Sequence, residues 1–184
     1  MTVTNKRPRA TWHNYNAGIY FVTITTKNRC HYFGRIVDDI MEMNLCGLIA
    51  KYYIDMLPQR LDYVEVHNAI VMPNHVHLLL QIIPTRYGIT VQHNCTNTGA
   101  LHAPGHPSYP DQPFEERNHF ASLLGTAICS LKSGITREIR RAGYSFEWQS
   151  RYHDHIVRDQ LEYNNISDYI TTNPQRWGSD KFAQ

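Results

Sequence analysis

The chain is poor in the features that would place it quickly. Its four cysteines, Cys30, Cys46, Cys95 and Cys129, are scattered without a CxxC pair, which excludes a four-cysteine zinc site and argues for reduced thiols over a disulfide scaffold. No apolar run approaches the roughly 20 residues that cross a bilayer, and the basic N-terminus MTVTNKRPRATWHNY has no apolar signal core. A cytoplasmic protein without membrane contact is expected. Charge of one sign is also missing: 18 Lys and Arg against 16 Asp and Glu leave a net charge of +2, so any basic surface must be local. There is no internal repeat and no HExxH. At 184 residues with 42% hydrophobic content, the chain predicts one domain, 1–184, with a single ordinary core.

What is present is periodicity. GIYFVTITT, from Gly18 to Thr26, alternates β-branched and aromatic residues and predicts a strand. Apolar residues at helical spacing from Met41 to Met56 predict a helix over 38–57, with Asp38 or Asp39 as its cap and Pro58 as its stop. LDYVEVHNAIVM and HVHLLLQII, joined through Pro73-Asn74, predict a hairpin. Pro84 to Asn118 has no periodicity and reads as a flexible insertion; its His93, Cys95, His102 and His106 fit no standard zinc-finger spacing. The apolar set Phe120, Leu123, Leu124, Ala127, Ile128, Leu131, Ile135 and Ile139 predicts a second helix to Arg141. A strand over 153–157 and a helix over 160–172, ended by Asn173-Pro174, complete the pattern. The order β-α-β-β-α-β plus a terminal helix predicts an α+β, ferredoxin-like antiparallel sheet with two helices on one face.

Chemistry concentrates at VMPNHVHLLL. On a strand, His75 and His77 project side by side while Val76, Leu78 and Leu80 face the other way, so the imidazoles are expected on the sheet face that the two helices leave open. Two neutral imidazoles on one face suit a divalent ion; a pair of half-buried, hydrogen-bonded histidines is the plainer alternative. Near the end, Tyr169 and Asn173 are four residues apart and would share one face of the last helix. A phenol can act as a nucleophile and an amide oxygen can face a hard cation.

Taken together, NAGIYFVTITTKNRCHYFGRI, AIVMPNHVHLLLQI and SFEWQSRYHDHIVRDQLEYNNISDYITTNPQRW resemble the single-tyrosine HUH transposases, and most closely the REP-associated tyrosine transposases. The resemblance spans most of the chain outside 84–118. It implies a metal-dependent endonuclease that cuts and rejoins single-stranded or hairpin DNA through a 5′-phosphotyrosine, with Tyr169 as nucleophile, His75, His77 and Asn173 as metal ligands, and Mg²⁺ or Mn²⁺ as the ion. Two clusters would contact DNA: Lys6, Arg7 and Arg9 near the N-terminus, and Lys132, Arg137, Arg140 and Arg141 on the second helix. A hairpin-DNA-binding protein without cleavage activity, and a small metallohydrolase that needs no tyrosine, are the competing readings. The sequence leaves open whether the last helix serves its own site or a partner copy's in a homodimer.

Overall fold

The computed structural model describes residues 13, 15–83 and 122–179. The basic residues Lys6, Arg7 and Arg9 and the whole insertion 84–118 lie outside these residues. Four strands form one antiparallel sheet: β1 (Gly18–Thr25), β4 (Val64–Met72), β5 (His75–Ile82) and β6 (His153–Val157), in the order β4-β5-β1-β6. Its central strands, β1 and β5, pair directly with each other although they are not consecutive in the chain, the arrangement a ferredoxin-like α+β fold requires. Helices α1 (Leu45–Asp55) and α3 (Leu123–Arg141) cover one face. Helix α4 (Gln160–Thr171) lies on the other and touches β4 and β5.

Alternation along β1 and β5 builds the core. Tyr20, Val22 and Ile24 of β1 and Val76, Leu78 and Leu80 of β5 are all fully buried and meet Ala50 and Ile54 of α1 and Leu124, Ala127, Ile128, Leu131, Ile135 and Ile139 of α3. Each of the valine, leucine and isoleucine side chains contributes about 1.5–3 kcal/mol by leaving water. Ser122 caps α3, its hydroxyl accepting from the Gly125 amide at 3.0 Å, a contact worth about 1 kcal/mol. Gly134, which weakens α3 on propensity alone, has a packing reason: a Cβ there would stand 2.5 Å from Tyr53 Cε1 of α1.

Four sequence expectations are corrected. The helix predicted over 38–57 is a hairpin followed by a shorter helix: β2 (Gly34–Val37) pairs with β3 (Ile40–Met43) through Asp38 and Asp39, which have φ of 49° and 60°. Two left-handed residues are what a tight two-residue hairpin turn needs, and aspartate tolerates that region. The cap of α1 is Asn44, whose side chain accepts from the Gly47 amide at 3.1 Å. Pro58 does not stop this helix; it sits in the first turn of α2 (Leu57–Arg60), where its missing N–H costs nothing. The fourth concerns the face beyond α1 and α3, which is covered by α4 and the residues after it.

In β4 the register shifts between Val66 and Asn68, a bulge at His67. Val64 and Val66 face the core before it, Ala69 and Val71 after it. The extra residue swaps the alternation, and Asn68 is turned toward α4. There its Nδ2 reaches Ser167 O (3.1 Å), Ser167 Oγ (2.9 Å) and Thr171 Oγ1 (3.1 Å). These contacts matter because Ile170 is the sole fully buried side chain of α4.

Candidate functional site: a histidine pair under a tyrosine helix

Strand register sets the site. Thr23 lies opposite His77 and Thr25 opposite His75 on β1, with Phe21 opposite Leu79; cross-strand partners share a face. His75 and His77 are 0% and 1% exposed. They are therefore not on an open face, as the alternation alone suggested, but at the bottom of a covered one.

Each imidazole is fixed through Nδ1. His75 Nδ1 lies 2.9 Å from Asn74 Oδ1, and His77 Nδ1 lies 2.9 Å from Thr23 Oγ1. The Asn74 side chain is itself oriented, its Nδ2 donating to Arg29 O at 3.1 Å, and its backbone carbonyl accepts from Thr26 N and Thr26 Oγ1. With Nδ1 of His75 donating to an amide oxygen, its Nε2 carries a lone pair. The two Nε2 atoms converge to 3.0 Å. That is the length of an N–H···N hydrogen bond. It is also the separation of two neighbouring ligands each about 2.1 Å from a hard divalent ion and at right angles to each other. Anchored imidazoles with converging Nε2 atoms are a donor set that fits such an ion.

The last helix delivers the phenol. Tyr169 Oη stands 3.5 Å from His77 Nε2, and its ring meets His77 and Phe21 edge-on at 5.3 and 6.0 Å between centroids. Within the chain, the tyrosine helix packs against the strand that carries the histidines. Asn173 is fully buried, but it lies beyond the helix: α4 ends at Thr171, Thr172 caps it, and Asn173 N–H donates to Ile170 O at 3.3 Å in a tightened turn. Pro174 then opens a 3₁₀ segment, Pro174–Ser179, that carries Trp177 over His75 with ring planes 26° apart and centroids 6.0 Å apart. Asn173 thus falls in the chain between a residue against His77 and a residue against His75. Among the described residues, no three His, Cys, Asp or Glu side chains cluster as metal ligands.

The other predicted residues are dispersed. Lys132, Arg137 and Arg140 line a groove of about 710 Å³ between α3 and the segment of Trp148 to Tyr152, on the side of the sheet away from Tyr169. Lys132 Nζ donates to Gln149 O at 2.7 Å and Arg140 Nη2 to Phe146 O at 3.0 Å; burial pulls the Lys132 ammonium below its usual pKa. Arg141 pairs with Glu138 at 2.9 Å. His155 is held by Glu162 of α4 at 2.6 Å. The Arg158 amide and then His155 keep the Glu162 carboxyl below the usual glutamate range. Residues that sequence reasoning missed are Thr23, Asn74, Phe21 and Trp177. For the first two the signal was there: a threonine-rich strand paired with HVH, and an asparagine next to it.

This geometry and sheet order define an α+β domain with the fold of a REP-associated tyrosine transposase. The solved structure of such a transposase bound to a REP hairpin superposes with a TM-score of 0.54 and 16% identity, over 95% of this chain and 76% of that one. In sequence the chain is 30% identical over 171 residues to an uncharacterized protein of Haemophilus influenzae, covering 92% of this chain and 87% of that protein, and it belongs to one family with it. No family model matches the chain. No described helix is long and apolar enough to cross a membrane.

Proposed function

We propose that the protein is a metal-dependent endonuclease and transposase that cleaves and rejoins single-stranded DNA, recognising hairpin DNA of the REP kind. The observation that carries this reading is the placement of the Tyr169 hydroxyl 3.5 Å from His77 Nε2, with His75 Nε2 a further 3.0 Å away. A phenol beside a buried imidazole pair is an arrangement for attack on an ester.

The chemistry balances without an external energy source. The Tyr169 oxygen bonds to phosphorus, the bond from phosphorus to the 3′ oxygen breaks, and the proton lost by the phenol is matched by the one that the 3′ oxygen takes up. One phosphodiester replaces another, so the 3′ hydroxyl of a new strand reverses the step and joins. His75 and His77, with Asn173, would hold Mg²⁺ or Mn²⁺, which when bound offsets negative charge on the scissile phosphate. The chain's own residues do the rest. Thr23 and Asn74 orient the imidazoles, Phe21 and His77 hold the phenol ring, and α4 and Trp177 keep bulk water from the pair.

The test is a covalent adduct. Incubation with Mn²⁺ and single-stranded oligonucleotides carrying genomic hairpins is expected to give a protein–DNA species stable in detergent, absent in Tyr169→Phe. Full strand cleavage by Tyr169→Phe would refute the assignment. The lack of a third His, Cys, Asp or Glu beside the pair among the described residues favours one second reading, a hairpin-DNA-binding protein without cleavage. Hairpin retention by the wild type with no adduct would identify it.

A further inference from the structure

A second groove opens one strand away from the histidines. It has a volume of about 740 Å³, and its walls include Thr25, Lys27, Arg29, Glu147, Gln149 and His153, a size within the range of about 300–1,000 Å³ usual for ligand sites. Thr25 pairs with His75 across the strands, while Thr23 pairs with both His77 and His153. The floor of the groove is therefore the same sheet face as the imidazoles.

Two observations point to a ligand there. Thr25 is 3% exposed and its hydroxyl has no hydrogen-bond partner among the described residues, a costly state unless an acceptor or donor arrives. The rim is charged but compensated: Lys27 Nζ is ion-paired with Glu147 Oε2 across the mouth of the groove. The backbone holds the two walls together independently, with Lys27 N donating to Glu147 O and Gln149 N to Thr25 O, each at 2.9 Å.

We propose that this groove seats the phosphate and sugar of a single-stranded nucleotide next to the scissile phosphate, with the Lys27–Glu147 ion pair as an internal counterion that the DNA phosphate displaces. The assignment rests on the nuclease reading above and extends it. It also fixes a direction. Along β1, Tyr169 stands at the Phe21 end and the groove at the Thr25 end, with the histidine pair between them. Attacking and leaving oxygens lie roughly in line in phosphoryl transfer, so the groove holds the strand that departs with its 3′ hydroxyl. Lys27 grips its phosphate and the Thr25 hydroxyl bonds to it.

The experiment uses the full chain and fluorescein-labelled single-stranded (dT)₁₂ in fluorescence anisotropy across a salt series, with Mn²⁺ binding by calorimetry as a control. Glu147→Gln frees the lysine and is expected to tighten binding about two- to fivefold, the size of an exposed ion pair. Lys27→Gln is expected to weaken binding and to reduce the slope of log affinity against log salt by about 0.7, the loss of one phosphate contact. Both variants should bind Mn²⁺ as the wild type does. Equal affinity of wild type, Glu147→Gln and Lys27→Gln for (dT)₁₂ would overturn the groove assignment, and so would weaker binding by Glu147→Gln. The nuclease reading is judged separately by the Tyr169-dependent adduct, so the groove can fail while the nuclease stands.

Discussion

Replacing Thr23 by valine removes one atom's chemistry and almost none of its volume. The Thr23 hydroxyl is 2.9 Å from His77 Nδ1, in a residue pair 6% and 1% exposed, and valine keeps the β-branched shape that suits a central strand. Two effects follow, and they separate. Depriving a buried imidazole nitrogen of this partner costs about 1–3 kcal/mol of folding stability, read as a lower midpoint in urea unfolding. In addition, without an acceptor at Nδ1 the ring proton is free to move to Nε2, where it opposes an ion. Loss of such an outer contact typically weakens metal binding about 10- to 100-fold, and one tenfold step corresponds to about 1.4 kcal/mol. Calorimetric titration with Mn²⁺ on wild type, Thr23→Val and Thr23→Ser measures this. Serine retains the hydroxyl and is expected to restore most of the affinity even where it loses stability. If Thr23→Val binds Mn²⁺ within twofold of wild type, the hydroxyl does not orient His77 and the site's logic is wrong.

Gly134→Val forces a branched side chain to where even a Cβ would stand 2.5 Å from Tyr53 Cε1; the gain in helix propensity, at most about 1 kcal/mol, is outweighed by an overpacking cost of about 1–3 kcal/mol, so a lower thermal midpoint is expected from calorimetry and an unchanged one would show that α1 and α3 are not in close contact. Glu162→Gln tests the anchor of α4. Because the Glu162 carboxyl is held below its ordinary pKa by the Arg158 amide and His155, its contribution to stability is fully present above the unfolded glutamate value of about 4.3 and is lost as pH falls through the lower folded value. Wild type should therefore exceed the variant in urea midpoint at pH 7 and converge with it only as the pH falls through that lowered folded value, and a constant difference across the acid titration would refute the role.

The sheet was legible because β1, β4 and β5 alternate over eight or nine residues with β-branched content, and α3 because its apolar residues hold one face for 19 residues. The β2–β3 hairpin was hidden. Met41 and Leu45 fall at helical spacing by coincidence, and Asp38-Asp39 reads equally well as a cap or as a left-handed turn. At the site, strand alternation put His75 and His77 side by side, and the structure sets the Tyr169 hydroxyl 3.5 Å from His77 Nε2. Sequence could not show that their face is covered. That depends on the chain folding back after Thr171 to bring Trp177 to His75, a contact spanning about a hundred residues of sequence that no local pattern encodes. Asn173 was expected on the helix and lies just past it, because the final turn tightens before Pro174.

The length of β4 is as consequential as its composition, except at one point, the bulge at His67. There one residue can be lost without turning the strand over: deleting His67 would close the bulge and leave a single unbroken register, with Val66 still opposite Leu80, Asn68 still opposite Leu79 and Val71 still in the core. A shortening anywhere else in β4, with the bulge kept, would send the residues beyond it to the wrong face.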